Sequence, residues 1–423
     1  MNQIRIPLFF SFYTLMFLAV PTYGNVFQMA SLSFILLQNI LTLMSLKRNK
    51  INTFKNSMNV FSVLLIFIIP FVSLTNNLFN PELYYVEYSI LFFVVMFSIY
   101  IMINTIDFQL IINSFVCAGI AITATLLVVG FNDLIQALSM NIDLKTGLSR
   151  FSPLGLHPNL VGHIFGGFAV TFFCCMLYSK QIIYKIFFTI LVGVSLLFCI
   201  AASSRGGLIA SGLGIITVYA LAIWDDKAKR RYFFLFMILV IVSLLFSHGF
   251  DKFSSYLSSI LEFDSNERGV GSGLTGRTAN WEKLVSTMFL SIKSVLLGNG
   301  LRSGGPDVMG YSIDNGYLNM FYETGLVLTV FFVILMIIST NNLRRSFLGM
   351  PNSIKAVALG LFVFILVESI VERYLLSIGN PVSLFLVFCI LGLKNILSST
   401  SRKQVVPRPV AYRLNPQNYS PQN

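Results

Sequence analysis

The chain has 423 residues, of which 56% are hydrophobic and only 11% charged. A soluble domain carries roughly 25% charged residues, so this composition excludes an ordinary water-soluble fold. The net charge of +12 does not indicate a nucleic-acid binder either, because the basic residues punctuate gaps between apolar runs instead of forming one patch.

A helix that crosses a bilayer needs about 20 mostly apolar residues, and open sheet edges are excluded from lipid. Runs of this kind predict helical spans at residues 6–22, 26–46, 58–77, 83–104, 108–130, 156–178, 182–202, 206–223, 232–248, 315–339, 353–371 and 376–397. The expected fold is all-α: a polytopic integral membrane protein of about 12 transmembrane helices. The run at 6–22 has no small-residue cleavage site and is followed at once by a second span, so it reads as a helix and not as a signal peptide.

Charge fixes the orientation. With the N-terminus cytoplasmic, 19 of the 29 basic residues fall on the cytoplasmic side, and the acids there are Asp107, Asp225 and Asp226. This is the positive-inside pattern, and one missed helix would reverse it downstream. The chain then divides into 1–247 with nine spans, an outer loop at 248–314, three spans in 315–397, and a cytoplasmic tail at 398–423. The tail is polar and carries Pro407, Pro409, Pro416 and Pro421, which predicts disorder.

Two outer segments are long, 131–155 and 248–314. The second opens with Ser258, Asp264, Gly269, Gly271 and other turn formers, which predict a mobile loop. Further on, Trp281, Leu284, Val285, Met288, Phe289, Ile292, Val295 and Leu296 recur at helical spacing, with Glu282, Lys283 and Lys293 on the other face. This predicts an amphipathic helix ended by Gly298-Asn299-Gly300, lying on the outer membrane surface or against the bundle. All five cysteines sit in apolar runs without metal-ligand spacing and read as small apolar residues.

Ionisable groups at the outer membrane edge are functional candidates, and they fall in four clusters. Arg150 leads into His157-Pro158-Asn159 and His163; the bland alternative is a capped helix start with satisfied histidines, and a spacing of six puts the two histidines on different faces. Ser203-Ser204-Arg205-Gly206-Gly207 forms a very short outer turn, whose arginine is either functional or a snorkelling cation. Thr275-Gly276-Arg277-Thr278 stands at the expected start of the amphipathic helix. There a guanidinium beside free N–H groups makes a phosphate site, unless the segment is only a cap. Ser312-Ile313-Asp314-Asn315-Gly316-Tyr317 leads back into the membrane, followed by Tyr322-Glu323-Thr324-Gly325. Asp314 reads as an N-cap or as a working carboxylate, and Glu323 must be neutral, paired or in a polar cavity. Glu368, Glu372 and Arg373 can join that same cavity.

In their order, spacing and common side of the membrane, these motifs from Arg150 to Gly325 resemble the O-antigen ligase and polymerase superfamily, the WaaL and Wzy-type proteins. The resemblance implies a GT-C-like, metal-independent membrane glycosyltransferase without a cofactor. It implies a bacterial inner membrane location and a periplasmic active site. The implied partner is a glycan on undecaprenyl diphosphate, with a chain-length regulator as a further partner and no nucleic acid. Relatives often carry histidine where this chain has Asp314, and ligases typically keep it, which favours a polymerase of O-antigen, capsule or exopolysaccharide units over a ligase. On this reading Asp314 is the base, while Arg205 and Arg277 stabilise the diphosphate leaving group. Arg150, His157, Asn159, Trp281, Asn315, Tyr317 and Glu323 are the expected substrate-binding residues. A lipid-linked oligosaccharide flippase or other transporter is the other class left open, although the long outer loop has no counterpart in the first half. A receptor or scaffold would not explain arginines held in tight outward turns.

Overall fold

The computed structural model describes residues 5–20, 24–49, 60–78, 83–140, 150–223, 273–304, 309–347 and 353–392. The described residues are almost all helical, with no strand among them. The first half contains α1 (Ile6–Leu15, extended by a 3-10 turn to Ala19), α2 (Gly24–Asn49), α3 (Val60–Val63), α4 (Ile69–Leu78), α5 (Leu83–Thr105), α6 (Phe108–Val129) and α7 (Phe131–Met140). A π-helical turn joins α3 to α4. Next come α8 (Pro158–Tyr178), α9 (Ile182–Ala201), α10 (Arg205–Ile223), α11 (Gly273–Met288), α12 (Ile292–Leu297), α13 (Gly316–Phe347), α14 (Ser353–Glu368) and α15 (Pro381–Leu391).

Among the described residues, seven helices are long and apolar enough to cross a membrane: α2, α5, α6, α8, α9, α10 and α13. Shorter apolar helices cover the expected spans at α1, α3–α4, α14 and α15. The chain is therefore an all-α polytopic membrane protein. The expected span at 232–248, the Ser- and Gly-rich part of the outer loop, the Asp225-Asp226 pair and the tail lie outside the described residues.

Helices α8 and α15 form the centre. Phe165, Phe168 and Phe172 of α8 are fully buried, as is nearly all of α15. Peripheral helices instead expose apolar side chains, such as Ile182, Ile186 and Ile190 on α9 and Val327, Ile334 and Ile337 on α13. Those faces suit lipid. Since lipid tails are as apolar as leucine, such helices join through close packing of small residues. At the contact of α8 with α10, a Cβ on Gly162 would lie 2.0 Å from Ser204 Oγ, and one on Gly207 would lie 2.7 Å from the Gly162 carbonyl. Only glycine lets the Ser204-Arg205 turn press so closely onto α8.

The structure corrects the expected outline in four places. The span from 315 is broken: Gly325 inside α13 has φ 80° and ψ 169°. The break frees the Tyr322 and Glu323 carbonyls, and these accept the N–H groups of Asn299 and Gly300, each at 2.9 Å. Irregular backbone in a membrane helix is tolerated where such partners replace the lost ladder. The contact is tight, because a Cβ on Gly325 would lie 2.3 Å from the Leu296 carbonyl.

The amphipathic helix begins earlier than expected, at Gly273, and ends at Met288. Ser291 then caps a separate α12 by accepting from the Ser294 N–H. The apolar periodicity runs across the break, but the two halves behave differently. Leu284 and Met288 are buried against Ile313 and Tyr322, whereas Phe289 and Ile292 are 68% and 79% exposed. In the third correction, the last turn between helices runs from Ser369 to Asn380, longer than the gap expected at 371–376. Asn380 accepts from the Ser383 N–H, and Pro381 follows it at the first helical position, so α15 starts there. Finally, the segment 131–155, expected on the outer side, holds α7 and a 3-10 turn at Pro153–Gly155.

Candidate functional site

The turn between α14 and α15 is the hub of one end of the helix bundle. Its backbone carbonyls, with that of Leu366 just before it, receive the segment 315–317. Gly316 N–H donates to Ser369 O at 2.7 Å, Asn315 Nδ2 donates to Ile370 O at 2.8 Å, and Tyr317 Oη donates to Leu366 O, just before the turn, at 2.7 Å. The α11 segment docks on the same turn through Arg277.

Arg277 is a bridge. Its Nη1 donates to Val371 O at 2.8 Å, its Nη2 donates to Glu372 Oε1 at 3.1 Å, and its Nε lies 3.4 Å from Asp314 Oδ2. One N–H on each terminal nitrogen is left for another acceptor. Arg277 does not stand at the helix N-terminus as expected, since α11 starts at Gly273 and the arginine lies a turn inside. Its anion-binding capacity is thus its guanidinium's and not the helix end's.

Asp314 is not the helix cap. Asn315 takes that role, its Oδ1 accepting from the Leu318 N–H at 2.9 Å. The Asp314 carboxylate instead accepts from Ser312 Oγ and faces Arg277. Glu372 is 5% exposed. Burial pushes its carboxyl up to about 8, helped by the neighbouring charges of Asp314 and Glu368 and opposed by Arg277.

Arg150 and Arg205 flank this cluster. Arg150 clasps the α9–α10 turn, donating from Nε to Ala202 O at 3.0 Å and from Nη2 to Asn159 Oδ1 at 2.7 Å. Asn159 is therefore a support for Arg150. Ser203 in that turn has φ 49°, uncommon for a residue with a side chain. Arg205 is half-buried at the first position of α10, beside Gly206, whose Cβ position approaches both Glu368 Cγ and Glu372 Cγ at 3.9 Å. His157 caps α8 by accepting from the Asn159 N–H at 3.3 Å. Burial first, and then Arg150, lower its basicity, while Asp314 opposes them.

The expected set splits. Arg277 and Asp314 come together, with Arg150, Arg205 and His157 around them. Asn315 and Tyr317 spend their polar groups on the hub. Trp281 is half-buried on α11, one turn beyond Arg277. The three charges expected to share a cavity with Glu323 also separate: Glu372 joins Arg277, Arg373 joins Glu323, and Glu368 is buried against His163.

Beside the cluster lies a cavity of about 950 Å³, near the upper end of ligand pockets at roughly 300–1,000 Å³. Leu15, Leu18, Leu32, Ile35, Leu91 and Phe92 from the α1, α2 and α5 segments give it an apolar wall. Its polar side holds Glu87, His157, Arg302, Asn319, Glu323 and Arg373. Glu323 accepts from the Arg302 N–H at 3.0 Å. Val26 and Glu87, both exposed, also line it, so it is open to the outside of the helix bundle near the starts of α2 and α5. Sequence reasoning missed Arg302, Asn319 and Tyr374. Arg302 could have been found by the criterion that singled out Arg205, an outward arginine in a glycine-rich turn. Asn319 and Tyr374 carry no such signal.

Comparison with known proteins bears on this region. Residues 190–333 match a family model described as O-antigen ligase, a stretch that contains Arg205, Arg277, Asp314 and Glu323. No curated protein matches the chain. That match, set on an all-α membrane fold, supports a relation to the O-antigen ligase and polymerase superfamily.

Proposed function

We propose that the protein is a polysaccharide polymerase of the periplasmic face, transferring a glycan from undecaprenyl diphosphate to another lipid-linked repeat unit. The observation that carries this reading is the Arg277 bridge, which holds two carboxylates beside a cation that keeps free donors. A hydroxyl oxygen of the acceptor sugar attacks the anomeric carbon of the donor glycan. The bond from that carbon to the diphosphate oxygen breaks, and the lipid diphosphate leaves with the electron pair. Asp314 takes the hydroxyl proton. Arg277 and Arg205 stabilise the charge that grows on the leaving group. No other charge-neutralising group is needed in this scheme.

The donor lipid belongs in the cavity next to the cluster. Its apolar wall suits an isoprenoid chain, Arg373 suits a phosphate, and Glu87, Asn319 and Glu323 suit sugar hydroxyls. Asp314, in place of the histidine that relatives often carry, favours polymerisation. The second reading is a ligase that transfers glycan to lipid A core, and the description of the matched family favours it.

Purified protein in liposomes, given a lipid-linked repeat unit, separates these readings. Growth of chains supports the polymerase, transfer only to added lipid A core makes it a ligase, and vectorial movement of the intact lipid makes it a transporter. The proposed sidedness has its own test. Reporter fusions after Lys50, Lys229, Arg345 and Arg402 should read cytoplasmic, and one near Gly271 periplasmic; a cytoplasmic signal at Gly271 would remove the site from the outer face.

A further inference from the structure

His163 is fully buried in the second turn of α8, and it takes no part in the scheme above. Its Nδ1 meets Glu368 Oε2, and the carboxylate is 1% exposed. Its Nε2 lies 3.2 Å from Asn380 Oδ1 and 3.1 Å from Ser383 Oγ. Ser383 Oγ in turn donates to Tyr374 O at 2.7 Å, and the Tyr374 ring packs on the imidazole with centroids 4.6 Å apart.

These contacts have one geometry in common. Glu368 ends α14 and Asn380 begins α15, so a single imidazole holds both ends of the hub turn and supports its middle through Tyr374. The turn carries Glu372 to the Arg277 cluster and Arg373 to the cavity. A buried ionisable pair is a costly way to hold two helices, and breaking it leaves the remaining partner uncompensated. Apolar packing, which fills the rest of α8 and α15, would hold helices at lower cost. A polar clasp adds direction: it fixes the rotation of the turn as well as its distance from α8.

We propose that His163 and Glu368 are positioning residues. They set the hub turn so that Glu372 and the Val371 carbonyl meet Arg277, and through Arg277 they align Asp314. The proposal rests on the transferase reading for its effect on rate, but the clasp itself is a statement about geometry.

The test therefore has one arm that needs no turnover. Spin labels at Thr278→Cys on α11 and Ile370→Cys on the turn, both exposed positions, report the distance across the Arg277 bridge in the full chain in nanodiscs. The wild-type background should give one narrow distance distribution. His163→Asn should broaden or shift it, and Ser383→Ala, a milder change that keeps the Glu368 contact, should do so less. Unchanged distributions in both variants would overturn the clasp.

The second arm is a double-mutant cycle on polymer formation. Misplacement of about an ångström can cost about a hundredfold in rate, so His163→Asn should lower kcat by up to about that factor, with KM little changed. If His163 acts through the turn, the same substitution in an Arg277→Lys background should cost much less, because the bridge is already weakened. Independent, multiplying losses would mean general destabilisation and would overturn the positioning role. The exchange His163→Glu with Glu368→His should restore part of the rate. A wild-type chain with no transferase activity, but with a narrow distance that broadens in His163→Asn, would refute the transferase reading and leave the clasp standing.

Discussion

Glu372 and Arg373 are neighbours in the chain but belong to different compartments. Glu372 is buried in a cluster whose carboxyl groups meet Arg277 at 3.1–3.4 Å. Arg373 lines an open cavity with an apolar wall and makes no ion pair or hydrogen bond among the described residues. The cluster is ordered before any ligand arrives and can lose little entropy when one does, which suits groups that must act on a developing charge. The cavity has mixed charge and space, which suits recognition. Adjacent residues of one turn thus sit in two different environments, and on the proposed reading variants on the two sides should fail in different kinetic terms.

The largest loss is expected on the cluster side. Arg277→Ala removes the bridge and leaves Asp314 and Glu372 without their shared cation. Loss of one such transition-state donor costs on the order of a thousandfold in kcat. Arg277→Lys should recover only part of it, since an ammonium cannot reproduce the fork that reaches two carboxylates and a carbonyl. Arg205→Ala should also fall in kcat while the protein stays in the membrane. Polymer made at the normal rate by Arg277→Ala would reduce the bridge to architecture.

Asp314→Asn comes next. Because Asn315 is the cap, this substitution leaves the start of α13 intact and tests proton transfer cleanly. General-base catalysis contributes on the order of a hundredfold or more, and a loss of that size in kcat is expected, with Asp314→His keeping some activity. Normal turnover in Asp314→Asn would pass the role of base to another group. The contrasting control is Asn315→Ala, which should lower stability by about 1 kcal/mol through the lost cap.

A smaller effect of a different kind is expected in the cavity. Arg373→Gln should raise KM for the lipid-linked donor by about tenfold, the worth of one hydrogen bond to a charged group, with kcat nearly unchanged. A fall in kcat with KM constant would place Arg373 with Glu372 and erase the distinction between the compartments.

Much of this was legible in the sequence because membrane helices announce themselves. The runs at α5, α6, α8, α9 and α10 agree with the expected spans to within about two residues, because a bilayer demands both length and apolarity. The outward arginines stood out for the same reason, being expensive where they are. The rest depended on partners distant in the chain. Asp314 read equally well as a cap, and only the position of Asn315 over the first turn of α13 decides the matter. The break at Gly325 was hidden because the apolar run continues through it, and its lost hydrogen bonds are supplied from Asn299 and Gly300. Glu368, Glu372 and Arg373 were visible as charges, but their separation into three environments follows from the fold of a turn that pattern alone made much shorter. His163 looked like a satisfied histidine, and it is one; its significance lies in what it satisfies.

The last prediction concerns pH and follows from the closed character of the cluster. Glu372 has its carboxyl raised by burial from the ordinary 4.5 to about 8. A group whose affinity for a proton is higher in the folded chain stabilises that chain fully below its unfolded value. The contribution is lost as pH rises through its folded value. The melting temperature of the wild type should therefore decline between about pH 4.5 and pH 8. Glu372→Gln is neutral at every pH and keeps an oxygen for Arg277 Nη2, so its melting curve should be flatter across the same window. The two should converge where Glu372 is protonated and diverge above it. Parallel declines in both proteins would mean that Glu372 titrates as an ordinary exposed carboxylate and that the cluster is wet.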